Sequence, residues 1–313
     1  VTALMRVADR LLHLQPNVLR SRTEAEKIGT RPRVAAPPPR RLRRRWRIDE
    51  DVVDGRPVLT LAPRGTTRDV TLVYLHGGAY VNELVAPQWR IIDELARGTG
   101  ATVVVPRYGL APEHHVDDAF ALMSELMAGV RRERPADRVF LAGDSAGAGL
   151  ALALAVEGSS SRATAARSDL RPDGLFLFSP WVDVTMTNPA ARRMEAGDAM
   201  LGVDGLRLWG REWAGTRDVD DPRVSPALGE LSGLPPTWVY QGGRDLFLPD
   251  VEIFAGNARA AGSPVTLRVF EDGFHVFVGF TLAAESRSVF REVRETIRRS
   301  TMTGPEAGRG HEQ

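Results

Sequence analysis

The residues Gly143-Asp144-Ser145-Ala146-Gly147 stand between a β-prone apolar run, Arg138-Val139-Phe140-Leu141-Ala142, and a run of small helix formers over 148–156. No residues are left for a loop. A strand that becomes a helix within so few positions forces its serine onto a sharp turn, where the hydroxyl stands clear of the backbone. Small residues flank it because a larger side chain would meet the adjoining strand or helix. A G-x-S-x-G pattern is weak on its own, since Gly, Ser and Ala are abundant. Its position between a strand and a helix makes Ser145 a candidate nucleophile.

The same alternation runs through most of the chain. Residues 70–75 (VTLVYL) are a near-continuous apolar run, as expected of a strand buried on both faces. Helical sequence follows over 89–97, then a strand over 101–106, a helix over 116–132 and the strand into the Ser145 turn. Beyond the Ser145 helix the spacing predicts strands over 175–179, 237–241 and 265–270 and helices over 251–261 and 280–298. Strands alternating with helices describe an α/β fold, a mostly parallel central sheet with helices on both faces. Ahead of it, residues 46–61 read as two strands around the turn Asp54-Gly55.

Two regions break the rhythm. Leu4, Val7, Ala8, Leu11, Leu12 and Leu14 recur at helical spacing and form one apolar stripe. A second helical piece lies near 24–28, and Pro37-Pro38-Pro39 makes an extended connector. Between Trp181 and Leu234 lies an irregular excursion with helical stretches over 190–195 and 203–213 and an acidic turn over 218–221. An insertion of that length between core strands is expected to form a helical cap over the C-terminal sheet edge, with the N-terminal helix as its partner. Trp209, Trp213, Phe247 and Leu248 are candidates for the walls under that cap and equally for its core. The expected division is N-terminal cap helices over 1–45, a core over 46–182 and 235–300, a cap insertion over 183–234 and a disordered tail over 301–313. Ser159-Ser160-Ser161 reads as loop.

Composition narrows the function. The chain has 313 residues with 41 basic and 40 acidic side chains, so no overall field recruits nucleic acid. The arginine run over 40–45 leads into strand sequence and reads as local. Zero cysteines remove disulfides and thiolate nucleophiles. No apolar run approaches the roughly 20 residues that span a bilayer, so no stable membrane insertion is expected. Residues 1–14 carry Arg6, Asp9, Arg10 and His13 and lack the uninterrupted apolar core of a secretory signal, so a cytoplasmic location is expected.

A serine hydroxyl needs an imidazole to take its proton, and the imidazole needs a carboxylate to fix its tautomer. His275 and His311 are the histidines after Ser145, and His311 lies in the tail. His275 follows the last strand. Asp245, just after the strand over 237–241, is the favoured acid, with Asp183 as its competitor at a neighbouring strand end. Gly77 and Gly78, in His76-Gly77-Gly78-Ala79-Tyr80, lie where backbone amides meet a developing oxyanion, together with the amide of Ala146. No second histidine or carboxylate lies at ligand spacing from His76, so no metal is expected.

Taken together, His76-Gly77-Gly78, Tyr108-Gly109-Leu110-Ala111-Pro112-Glu113, Gly143 to Gly147, Asp221-Pro222-Arg223-Val224-Ser225-Pro226, Asp245 and Gly273-Phe274-His275 resemble the hormone-sensitive-lipase-like branch of the α/β-hydrolases, in that order and across most of the chain from Val70 to Val278. Ala79 stands where that family has a third glycine, Gly109 where it usually has arginine, and Leu246-Phe247-Leu248-Pro249-Asp250 replaces its usual acid-loop sequence. The resemblance implies an α/β-hydrolase fold with a helical cap and a cofactor-free carboxylesterase. A small-molecule ester with a short, acetyl-like acyl group is the expected substrate. An amidase or N-deacetylase with the same triad, or a receptor on the same scaffold, are the alternatives. The last strand, at a sheet edge, could pair with its twin in a homodimer.

Overall fold

The computed structural model describes residues 3–65, 67–160 and 169–302. Eight strands form one sheet: β1 (Trp46–Val53), β2 (Arg56–Pro63), β3 (Val70–Leu75), β4 (Thr102–Pro106), β5 (Arg138–Asp144), β6 (Gly174–Phe178), β7 (Thr237–Gly242) and β8 (Val265–Phe270), in the order β1-β2-β4-β3-β5-β6-β7-β8. β1 and β2 form the hairpin expected at Asp54-Gly55, and β2 also pairs antiparallel with β4. From β4 onward every pairing is parallel. The sheet is thus mostly parallel, and its central strands put their C-terminal ends side by side.

Two-residue alternation separates the two faces. Val73 and Leu75 of β3 with Val139 and Leu141 of β5 pack beneath α5 (Val116–Glu133) and α6 (Ser145–Ser159). Leu72 and Tyr74 with Phe140 and Ala142 face the other way, toward α4 (Gln88–Thr99) and the last helix (Ala284–Met302). Burial on both faces explains why these strands lack a polar side.

The irregular regions fold as a pair. α1 (Ala3–Leu12), α2 (Arg22–Gly29) and α3 (Arg40–Arg45) come from the N-terminus; α7 (Pro189–Met194) and α8 (Val203–Ala214) come from the insertion. α2 packs on α8 so closely that a Cβ on Gly29 would lie 2.6 Å from the Trp209 ring, whose Nε1 donates to the Ala25 carbonyl at 3.2 Å. Arg217 and Arg223 of the insertion ion-pair with Asp117 of α5, and Arg223 also pairs with Glu157 of α6, which ties cap to core. No helix of the described residues is long and apolar enough to cross a membrane.

Several boundaries differ from the sequence expectation. The arginine run over 40–45 leads straight into β1 at Trp46 as expected, but is itself the short helix α3, with Leu42 buried beneath it. α9 (Leu248–Ala260) begins three residues earlier than expected, with Pro249 in its first turn where a missing N–H costs nothing. The last helix, α10 (Ala284–Met302), begins four residues later than expected because, after the 3-10 turn over Phe277–Gly279, the chain makes a further turn closed by the Ala283 amide donating to the Phe280 carbonyl at 3.0 Å. It continues past 301, so the expected tail is helical through Met302 and otherwise lies outside the described residues. Ser159 ends α6 instead of opening a loop, and Ser161 lies outside the described residues.

Candidate active site

Ser145 opens α6 directly after β5 with φ of 53°, a left-handed backbone that residues with a Cβ seldom adopt. Contact geometry explains the glycines beside it. A Cβ on Gly143 would stand 2.7 Å from the Gly147 carbonyl carbon, and one on Gly147 would stand 2.1 Å from the Leu75 carbonyl oxygen. Larger residues would therefore push α6 off β3.

His275 lies in the loop after β8, and its Nε2 stands 2.9 Å from Ser145 Oγ. Its Nδ1 stands 2.8 Å from Oδ2 of Asp245, which comes from the loop after β7. The C-terminal ends of the parallel strands β5, β7 and β8 bring the three together on one side of the sheet. The other Asp245 oxygen accepts the Phe247 amide at 3.0 Å, which fixes the carboxylate. The competing carboxylate is turned elsewhere: Asp183 Oδ1 accepts the Thr185 amide at 2.8 Å and closes a turn at the start of the insertion. Burial alone would lower the His275 pKa. The charge and hydrogen bond of Asp245, with the charges of Asp198 and Asp144, outweigh it and hold the imidazole above its ordinary value.

The loop over 76–80 is held from beneath. Asp144, buried beside the serine, accepts Tyr74 Oη at 2.5 Å, the Gly77 amide at 2.9 Å and Gln88 Nε2 at 2.9 Å. The Gly77 amide is therefore engaged with Asp144, whereas the sequence expectation made it a donor to the oxyanion. Gly78, at φ of 134°, lines the cavity beside Ser145, and among the described residues its amide has no protein acceptor. The Ala146 amide belongs to the first turn of α6, where intrahelical acceptors are lacking. Ala79 follows with φ of 53°, so the residue in place of a third glycine keeps the left-handed turn. His76 is fully buried, stacks on Tyr108 at 4.5 Å between centroids and has its pKa lowered by burial. It is a neutral support for the loop.

A cavity of about 620 Å³ opens over Ser145. Leu4, Val7 and Leu11 of α1 form one wall, Met200 and Leu201 of the insertion another, and Phe280 a third. The bulky wall candidates lie elsewhere. Trp209 packs on α2, Trp213 stacks on Tyr80 at 4.1 Å between centroids, and Leu248 opens α9. Phe247 sets its ring against the His275 imidazole, edge to face at 5.3 Å, with Trp181 stacked behind it. Aromatic bulk alone does not reveal which side of a cap faces the cavity.

Three residues at the site are not evident from sequence. Gln88 bridges Asp144 and the Val85 amide, Ser179 Oγ accepts the Val276 amide at 3.0 Å, and Asp198 accepts the Leu246 amide at 3.0 Å. Gln88 opens α4, Ser179 follows β6 and Asp198 follows a 3-10 turn over Glu195–Gly197, and no motif or spacing marks any of them.

An elbow serine hydrogen-bonded to a histidine, with a buried carboxylate behind it on a mostly parallel sheet, defines the α/β-hydrolase class. Residues 72–279 match the family model described as alpha/beta hydrolase fold. The chain is 32% identical over 215 residues to an esterase of Acinetobacter venetianus, covering 67% of this chain and 68% of that one. It is also 32% identical over 211 residues to an acetyl-hydrolase of Streptomyces hygroscopicus, covering 66% and 68%. Among solved structures it is similar to the hormone-sensitive-lipase homologue EstE7 from a metagenome library, with 27% identity, a TM-score of 0.74 and coverage of 95% and 98%. The chain belongs to the hormone-sensitive-lipase-like branch of the α/β-hydrolase carboxylesterases.

Proposed function

We propose that the protein hydrolyses carboxylic esters of short acyl chains through an acyl-enzyme on Ser145. The observation that carries this reading is the continuous relay from Ser145 Oγ through His275 to the buried Asp245. His275 Nε2 takes the hydroxyl proton as Oγ bonds to the ester carbonyl carbon. Asp245 keeps the remaining proton on Nδ1 and balances the imidazolium. The carbonyl oxygen becomes an oxyanion held by the amides of Gly78 and Ala146, while Gly77 keeps their loop fixed through Asp144. The intermediate collapses, the carbon–oxygen bond to the alcohol breaks, and His275 gives the leaving oxygen its proton. Water, deprotonated by His275, then releases the acid and restores the serine.

The cavity above the serine supports an apolar acyl group with room for more than acetyl, because Leu4, Val7, Leu11, Met200 and Leu201 surround it and offer no charge. The test is parallel hydrolysis of p-nitrophenyl butyrate and the matching p-nitroanilide. The ester is expected to turn over far faster; preference for the anilide would make the protein an amidase, and turnover of neither would make the scaffold a receptor.

A further inference from the structure

Asp198 belongs to the cap insertion, yet its carboxylate is buried at 2% exposure next to the acid loop. One oxygen accepts the amides of Met200 at 2.8 Å and Leu201 at 2.9 Å. The other accepts the amide of Leu246 at 3.0 Å, the residue following Asp245. All three contacts use the carboxylate as acceptor, the pattern of its ionised form. No cationic side chain pairs with that carboxylate among the described residues; Arg20 reaches only its backbone carbonyl, at 3.2 Å. A buried anion held by amides and lacking a cation has unused electrostatic capacity.

We propose that Asp198 is a positioning residue for the Asp245–His275 pair. It sets the acid loop through the Leu246 amide and the cavity wall through the amides of Met200 and Leu201, so the cap and the relay share one fixed point. Its charge is the second buried anion that His275 answers when it takes the serine proton. When His275 is neutral, Asp245 and Asp198 are two buried carboxylates acting on it, and proton transfer from Ser145 supplies the positive charge that both lack. The field is already in place when the oxyanion forms, so no reorganisation is needed at that moment.

The titratable groups around His275 agree with this placement. Asp245 from the loop after β7, Asp198 from the cap and Asp144 from the end of β5 each raise its pKa against the lowering effect of burial. Asp198 in turn has its own pKa raised by burial and by Asp245, and lowered by His275 and by the amides of Leu246 and Met200.

This inference rests on the serine-esterase reading, and one experiment separates the two. Profiles of kcat and kcat/KM against pH are measured with p-nitrophenyl butyrate for the wild type, Asp198→Asn and Asp198→Ser. Asn retains one acceptor oxygen for the Met200 and Leu201 amides but loses the charge and the second acceptor; Ser is the smaller uncharged alternative should Asn disturb the fold. The expected result is a fall in kcat of about tenfold, about 1.4 kcal/mol in the barrier. KM should stay within roughly twofold for Asp198→Asn because the wall keeps its anchor. The acid limb of kcat/KM should move to lower pH, since removing a negative charge makes His275 easier to deprotonate. A purely structural residue would lower the amount of folded enzyme without moving that limb. An active wild type whose acid limb is unchanged in a folded variant overturns the role of Asp198 alone, as does failure of both variants to fold. An inactive wild type overturns the esterase reading instead.

Discussion

Ser145 and His275 are 130 positions apart in sequence, and their side chains meet at 2.9 Å between Oγ and Nε2. The imidazole must be neutral to take the proton from Oγ. Because the surrounding carboxylates raise its pKa, the protonated, inactive form persists to higher pH than it would in free histidine. The acid limb of kcat/KM is therefore expected above the ordinary histidine value of 6.5. Replacing Asp245 by Asn should move that limb downward in whatever activity remains. A limb that stays in place in Asp245→Asn would show that another group titrates.

The choice between the two strand-end carboxylates gives a second prediction. Asp245→Asn should lower kcat by about 10⁴-fold, because an amide at that place favours the wrong imidazole tautomer. Asp183→Asn should cost less than about tenfold, since its carboxylate closes a turn at Thr185 and does not touch His275. Steady-state kinetics on both purified variants decides the matter, and the reverse order would assign the acid to Asp183.

How much of this site is legible in the sequence depends on whether regular structure carries it. The Ser145 turn can be read because a strand, tight glycine contacts and a helix succeed one another without interruption. The β-strand order places His275 and Asp245 at one edge, and chain order alone suggests both. Asp183 and Asp245 cannot be separated that way, since each follows a strand of the same sheet. Only the direction of the side chain distinguishes them, and that depends on local turns such as the one at Thr185. Gly77 shows the same limit: the glycine is visible, but the commitment of its amide to Asp144 is a tertiary contact. Asp198 only caps a short 3-10 turn over Glu195–Gly197, which carries no signal toward the acid loop, so its approach to Leu246 follows from how the cap docks.

Stability should respond to a carboxylate away from the relay. Asp250, near the start of α9, has its pKa pushed by burial to about 6, above the ordinary 3.8, although the Asn188 amide donates to it at 2.7 Å. A folded-state pKa above the unfolded one means that the protonated group stabilises the fold below the unfolded value, and the contribution is lost as pH rises through about 6. Asp250→Asn removes the buried charge and keeps an acceptor for Asn188. Its Tm is expected to exceed the wild-type Tm by about 2 °C at pH 8, with the gap closing near pH 4. A lower Tm at pH 8 would mean that the ionised form is better held than its burial implies.

The α1 wall predicts a chain-length profile. Each added methylene that covers apolar wall should raise kcat/KM by up to about fourfold, corresponding to about 0.8 kcal/mol, until the acyl chain outgrows the cavity. Across p-nitrophenyl esters the maximum should fall between butyrate and octanoate, with palmitate poor. Leu11→Ala should narrow the advantage of butyrate over acetate, because Leu11 lines the cavity. An unchanged ratio would show that the acyl chain does not lie against α1.

The central claim is that Ser145 is the nucleophile of an esterase. The most direct measurement is intact-protein and peptide mass analysis after treatment with a fluorophosphonate, run beside p-nitrophenyl butyrate hydrolysis, for the wild type and Ser145→Ala. The expected result is one phosphonyl adduct on Ser145 in the wild type with loss of turnover, and in Ser145→Ala no adduct and only the residual hydrolysis that the oxyanion donors support, about 10³–10⁴-fold over water. An adduct on another residue, or a folded Ser145→Ala protein that hydrolyses the ester at the wild-type rate, would contradict it.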